Sequence, residues 1–189
     1  MPKVTYYTAC TLDGFIADEH NSLDWLFETP HGDDESAWDS LMAQTGALVM
    51  GATTYAWMTA QHPEMLQGPE QWHAWYGERP AWVFTHRELP RIPGVDLRFV
   101  QGEVTPVYDA IAATVEGGIW VVGGGDLVGQ FDDAGLLDEV QVHLTPVVLG
   151  AGRPLLPRRI TSSRLSFREG GLAGQRCNLT LDVVRKPVG

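Results

Sequence analysis

Apolar and polar positions in this chain fall into short blocks of two kinds, and their order sets out the elements. Residues 3–11 are rich in Val, Thr and Tyr, which favour a pleated strand. Residues 12–31 hold turn residues and acids and read as a long loop, with Trp25, Leu26 and Phe27 tucked inward. Asp33 and Asp34 suit a helix start, as cap and first-turn anions. Ala37, Trp38, Leu41 and Met42 then form the buried stripe of that helix. A short apolar strand over 47–50 runs into a second helix that opens Gly51-Ala-Thr-Thr-Tyr. Further helices are expected over 70–76 and 106–115, and further strands over 81–85 and 96–100. Val140, Val142 and Leu144 alternate with Glu139, Gln141 and His143, the mark of a half-exposed strand. Two strands near 165–169 and 176–184, joined by a turn at Gly170-Gly-Leu-Ala-Gly, close the chain. Strands alternating with helices and then a hairpin predict an α/β fold: a mostly parallel sheet flanked by helices, with an antiparallel edge.

One block carries more information than the rest. Ile119 to Val122 is a continuous apolar run, as in a strand buried on both faces. Gly123, Gly124 and Gly125 follow, and Leu127, Val128 and Phe131 recur at helical spacing, so a helix starts near Asp126. A strand, a glycine turn and a helix N-terminus bring free N–H groups and a positive dipole end to one point, which suits a phosphate. Gly51-Ala-Thr-Thr repeats the arrangement, and Thr85-His-Arg follows another buried strand. In open α/β sheets ligands bind beyond the carboxyl ends of strands, so these three ends form a candidate cradle for a dinucleotide. No Gly-x-Gly-x-x-Gly follows the first strand, so the pattern is not the Rossmann fingerprint.

Charge narrows the partners. The 189 residues carry a net charge of −11, which argues against nucleic acid or an anionic membrane. Residues 13–39 hold nine acids and no Lys or Arg, whereas Arg153, Arg158, Arg159, Arg164 and Arg168 cluster late. No apolar run is long enough to span a bilayer and no signal peptide is visible. Cys10 and Cys177 stand alone, so a cytoplasmic protein with reduced thiols is expected, without a disulfide or a metal site. His62, His73 and His143 have no ligand spacing. Trp57, Trp72, Trp75 and Trp82 read as packing, with one of them able to wall a planar substrate. No repeat or linker is present, and residues 1–189 read as one domain.

Five segments in order resemble the dihydrofolate reductase-like fold, and within it the reductase domain of bacterial riboflavin biosynthesis. They are Thr8-Ala-Cys-Thr-Leu-Asp-Gly-Phe-Ile-Ala, Ala47-Leu-Val-Met-Gly-Ala-Thr-Thr-Tyr, Val83-Phe-Thr-His-Arg, Val121-Val-Gly-Gly-Gly-Asp-Leu, and Thr145-Pro-Val-Val-Leu-Gly-Ala-Gly-Arg-Pro-Leu-Leu. The resemblance implies a three-layer architecture, NADPH as cofactor and a homodimer, with residues 147–156 as a contact. It implies that Ala9 and Ile16 hold the nicotinamide amide and that Gly51, Thr53 and Thr54 meet the cofactor phosphates. Thr85, His86 and Arg87 match the segment that reads the adenosine 2′-phosphate. Gly123, Gly124 and Gly125, with Asp126 and Leu127 behind them, match the pyrophosphate turn, where the family holds a cis Gly–Gly bond. Asp13, Trp38, Asp39 and Arg153 fall on the substrate side. Glu35, counted back from Gly51, falls where dihydrofolate reductases place the acid that contacts the pterin, and is the candidate proton donor.

Two departures matter. Ala52 stands where family members often carry Arg, which leaves Arg87 as the main cation for a 2′-phosphate. No zinc deaminase signature accompanies the reductase segments. The function implied is an NADPH-dependent reductase of a small pyrimidine- or pterin-like heterocycle, with 5-amino-6-(5-phosphoribosylamino)uracil reductase activity as the named candidate. That phosphorylated substrate requires Arg153, Arg158 or Arg159 to reach the cleft; a neutral or cationic heterocycle is the physical alternative. A dihydrofolate reductase is a rival, but residues 13–78 contain no Lys or Arg to grip the folate glutamate. A nucleotide sensor without turnover is the rival from another class. The loop over 12–31 reads as a lid over the nicotinamide.

Overall fold

The computed structural model describes residues 1–30 and 36–186. The expected helix start at Asp33 and Asp34, and Glu35, lie outside the described residues. Strand β1 (Val4–Thr11) opens the chain, followed by a short β2 (Phe15–Ala17) and helix α1 (Asp24–Glu28). Helix α2 (Ser36–Gln44) leads into β3 (Thr45–Gly51), α3 (Ala52–Gln61), a 3-10 turn at Pro63–Leu66 and α4 (Glu70–Tyr76). Then come β4 (Ala81–Phe84), β5 (Leu97–Val100), α5 (Val104–Thr114), β6 (Gly118–Gly123), α6 (Gly125–Asp133) and β7 (Glu139–Thr145). A two-residue β8 (Arg153–Pro154) precedes the hairpin of β9 (Leu165–Ala173) and β10 (Arg176–Val183).

The main sheet has eight strands in the order β5-β4-β3-β6-β1-β7-β10-β9. The six from β5 to β7 are parallel, and β10 is antiparallel to both β7 and β9. One face packs on α5 and α6 through Val107, Ile111, Val128 and Phe131; the other packs on α2, α3 and α4 through Leu41, Tyr55, Met58 and Trp72. This is the expected three-layer α/β architecture. The apolar run of β6 explains itself, because Ile119 and Val121 enter the first core and Trp120 the second.

Several local expectations change. Trp25 is buried and Leu26 half-buried, but Phe27 is 64% exposed. Gly170 and Gly171 lie within β9, and the hairpin turns instead at Gly174, whose φ is +61°. Glu139 does not face water: it is 1% exposed and takes hydrogen bonds from Lys3 at 2.6 Å, from Gln141 at 2.7 Å and from Arg168. Burial opposes its ionisation, but these three donors outweigh burial and hold its carboxyl below the usual range.

Candidate active site

The carboxyl ends of β1, β6, β3 and β4 lie side by side because all four run parallel. A cavity of about 640 Å³ opens above the first three of them. Val122 and Gly123 of β6 form its floor; Thr53, Thr54 and Trp57 of α3 stand on one side, and Thr8, Ile16, Ala17, Asn21 and Leu23 on the other. Gly124, Gly125 and Asp126 supply the start of α6, while Arg153, Pro154 and Pro157 arrive from the late loop.

The caps of both helices are glycines, Gly51 for α3 and Gly124 for α6, and no side chain bonds to either helix start. Gly124 holds φ at +95°, a conformation that costs a residue with a Cβ about 1–2 kcal/mol. Every peptide bond among the described residues is trans, so the implied cis Gly–Gly bond is absent and positive φ at Gly124 makes the turn. Gly125 is needed for a different reason. A Cβ there would lie 2.6 Å from the Leu155 carbonyl oxygen and closer still to that of Pro154.

A second hollow of about 430 Å³ lies at the ends of β4 and β5, lined by Thr85, Arg87, Glu88, Leu89, Arg91, Phe99 and Gln101. The Thr85 hydroxyl accepts from the Arg87 N–H and donates to its carbonyl, both at 2.9 Å, which fixes the turn that presents Arg87. Arg91 donates to the Leu97 carbonyl at 2.7 Å and lies over the Phe99 ring at 5.0 Å.

The residues named from sequence thus divide. Ile16, Thr53, Thr54, Gly123, Gly124, Gly125, Asp126 and Arg153 line the large cavity, and Thr85 and Arg87 the smaller hollow. Ala9, Gly51, His86 and Leu127 line neither, and the Leu127 side chain is buried in the core. Asp39 is on the exposed side of α2. Trp38 packs edge-on against Tyr7 and Trp120, at 6.0 and 5.4 Å, rather than into the cavity. Burial pushes the Tyr7 phenol up to about 12, so it stays protonated. Asn21, Leu23 and Pro157 line the cavity without having been singled out; their positions depend on how the loops fold.

Those loops are braced. Leu12 donates to the Val147 carbonyl at 2.8 Å, Leu155 donates to that of Gly14 at 2.9 Å, and β2 pairs with β8. Asp13, a substrate candidate in the sequence, has both oxygens taken: one accepts from Thr11 at 2.6 Å, the other from the N–H groups of Leu149 and Gly150 at 3.1 and 2.7 Å. The Thr11 hydroxyl, followed by these N–H groups, holds its carboxyl below the usual range. Arg153 donates to Asn21 Oδ1 at 2.8 Å and to the Glu19 carbonyl at 3.3 Å. Arg158 pairs with Asp133 at 2.6 Å and with the cavity residue Asp126 at 3.1 Å. Residues 12–21 of the segment expected to act as a lid are therefore hydrogen-bonded to the late loop.

Residues 64–170 match the RibD C-terminal domain, and this match spans more than half of the chain. The chain belongs to the RibD C-terminal domain family. Thr85, Arg87, the glycine turn and Arg153 fall inside the matched segment, while β1 and α3 fall outside it. Two Bacillus subtilis proteins of uncharacterised function are similar: YwjB, 26% identical with 94% of this chain and 95% of its own length covered, and YyaP, 25% identical over 78% and 76%. Among solved structures, a Shewanella sp. PV-4 protein provisionally assigned to riboflavin biosynthesis has a TM-score of 0.76 at 24% identity, covering 97% of this chain and 99% of that one. A Thermotoga maritima deaminase and 5-amino-6-(5-phosphoribosylamino)uracil reductase has a TM-score of 0.65 at 16% identity, covering 96% and 56%. Enterococcus faecalis dihydrofolate reductase, solved with NADP(H), has a TM-score of 0.63 at 14% identity, covering 97% and 96%. These structural likenesses show that this member of the RibD C-terminal domain family has the dihydrofolate reductase-like fold.

No helix of the described residues is long and apolar enough to cross a membrane. Among the same residues, no group of three or more His, Cys, Asp or Glu could hold a metal ion.

Proposed function

We propose that this chain is an NADPH-dependent reductase that transfers hydride to a small pyrimidine- or pterin-like heterocycle. The observation that carries the reading is the pair of glycine-led helix starts opening on one cavity, with an arginine-lined hollow farther along the same row of strand ends. Helix N-termini favour pyrophosphate through free N–H groups and dipole. From β1 to β5 there are four strand steps, roughly 19 Å at the usual spacing. A ligand that uses both ends must be extended, as a dinucleotide is and a mononucleotide is not.

In this reading Gly124, Gly125, Thr53 and Thr54 receive the pyrophosphate, Ile16 borders the nicotinamide, and Thr85 and Arg87 receive the 2′-phosphate. Nicotinamide supplies the hydride; the chain's residues orient it and exclude water. The titratable groups among the described residues that line the large cavity are Asp126 and Arg153, and Asp126 is paired with Arg158. Neither suits a proton donor beside the apolar walls; the proposed donor is Glu35, on the resemblance to dihydrofolate reductases alone. Glu35→Gln should lower kcat while leaving NADPH affinity unchanged.

The name of the Thermotoga protein makes 5-amino-6-(5-phosphoribosylamino)uracil the first named substrate to try. The decisive assay follows loss of NADPH absorbance against pterins and pyrimidines, with NADPH affinity measured alongside. Binding without oxidation of any of them would identify a sensor; no NADPH binding would refute the reading. A homodimer of one-domain subunits belongs to the same proposal. Phe167 and Leu172, 71% and 85% exposed on the edge strand β9, support it as apolar surface that a partner would cover.

A further inference from the structure

The cavity's two regions differ in chemistry. Around the start of α6 it is polar, with glycine backbone, two threonine hydroxyls, Asp126 and Arg153. Between Trp57 of α3 and Ile16, Ala17 and Leu23 it is apolar, and these walls stand on opposite sides of β6. Such a slot suits the faces of a flat ring. Asn21 Oδ1 accepts from Arg153, which leaves the Asn21 amide N–H groups as donors for a ring carbonyl.

The cations are placed unevenly. Arg153 is the one Lys or Arg among the described residues lining this cavity. Arg158 is held by Asp133 and Asp126, and Arg159 is exposed and not part of the lining. Residues 13–78, which supply β2, α1, α2 and α3, contain no Lys or Arg. A bound dinucleotide brings its own pyrophosphate to the helix starts beside Arg153. A phosphate on the substrate would then share the cavity with those charges, and the one further arginine beside it, Arg158, is already neutralised by Asp126 and Asp133.

We infer that the substrate is a flat nitrogen heterocycle without a phosphate group, stacked against Trp57 and bordered by Leu23, with Ile16 left to the nicotinamide. This rests on the reductase reading, so the test starts by titrating NADPH into the protein. Failure to bind NADPH removes that reading and this inference together.

With NADPH saturating, calorimetry is run with three probes: ribose 5-phosphate, 5-amino-6-(5-phosphoribosylamino)uracil and the dephosphorylated riboside of the same pyrimidine. Expected are no saturable binding of the sugar phosphate and at least tenfold tighter binding of the riboside than of its phosphate ester. Saturable ribose 5-phosphate binding, an ester that binds as tightly as the riboside, or a riboside that does not bind each overturns the inference while leaving the cofactor reading intact. Trp57→Ala should weaken riboside binding about tenfold, the scale of one aromatic stack on a base, with NADPH affinity unchanged. Trp57→Phe, which keeps an aromatic face and spares the core on which Trp57 also packs, should retain most of the affinity. Unchanged riboside binding in Trp57→Ala removes the stacking wall.

Discussion

Replacing Gly125 with alanine adds one methyl group where α6 begins, directed at two backbone carbonyls of the late loop. The new Cβ would sit 2.6 Å from the Leu155 oxygen and nearer still to that of Pro154, whereas real Cβ contacts essentially never fall under 3.0 Å. Backbone rather than a flexible side chain is in the way, so α6 or the 153–155 segment must move by several tenths of an ångström. Overpacking of this kind costs about 1–3 kcal/mol, and alanine's helix preference returns up to about 1 kcal/mol. A net loss of about 1–2 kcal/mol corresponds to roughly 2–8 °C in Tm for a chain of this size. The same shift displaces the α6 N–H groups, so NADPH affinity should fall in the variant as well. Gly124→Ala is the control: its Cβ has no neighbour nearer than 3.7 Å, and its cost is backbone strain from φ of +95°. Calorimetric melting and an NADPH titration of both variants test the reasoning. A Gly125→Ala protein with unchanged Tm and affinity would show that α6 does not press on the late loop as described.

Arg87→Ala should weaken NADPH about tenfold, the loss of one charged hydrogen bond at an exposed site, and leave NADH nearly unchanged; equal losses would remove Arg87 from the 2′-phosphate. Arg79 donates to the carbonyls of Thr45, Tyr76 and Met42 at 2.7, 2.8 and 2.7 Å, tying β3 to the ends of α4 and α2. Arg79→Ala should therefore cost about 2–4 kcal/mol in denaturant unfolding, and a loss under 1 kcal/mol would contradict that role. Glu139 has a folded pKa below its unfolded value, so its stabilisation is full above about pH 4.5 and is lost as pH falls through the folded pKa. The Tm gap between wild type and Glu139→Gln should accordingly narrow in acid; a constant gap would refute the ion-pair account. Phe167→Asp with Leu172→Asp should convert a dimer to a 20.8 kDa monomer in light scattering, whereas a wild-type protein already at that mass would end the dimer proposal.

What the sequence made legible was local. The glycine turn after Val122 follows from spacing and the extent of α4 matches the helix expected over 70–76, whereas of the expected α2 stripe only Leu41 is buried, with Ala37, Trp38 and Met42 half-buried. Glu139 was misread because alternation assigns it to the wet side of β7. Its burial depends on Lys3, 136 positions away, and Arg168, 29 positions away, which no periodicity reports. The resemblance put Asp13 and Arg153 on the substrate side; only Arg153 lines the cavity, and their partners Leu149, Gly150 and Asn21 lie across the fold. Gly170 and Gly171 resembled a turn by composition, yet the strand pairing with β10 continues through them. The cavity itself follows from parallel strand ends, whereas Trp57 was one of seven tryptophans with nothing local to separate it from packing.

The stitching of residues 12–17 to residues 147–155 has a consequence for anyone exchanging parts between relatives. Neither segment closes its own hydrogen bonds: Leu12 and Asp13 complete theirs on Val147, Leu149 and Gly150, and Leu155 completes its own on Gly14. A chimera that imports one segment alone would inherit half of a fastener and expose unmatched amides at the rim. The two stretches, far apart in the gene, form a single transplantable cassette, and grafts should carry both or neither.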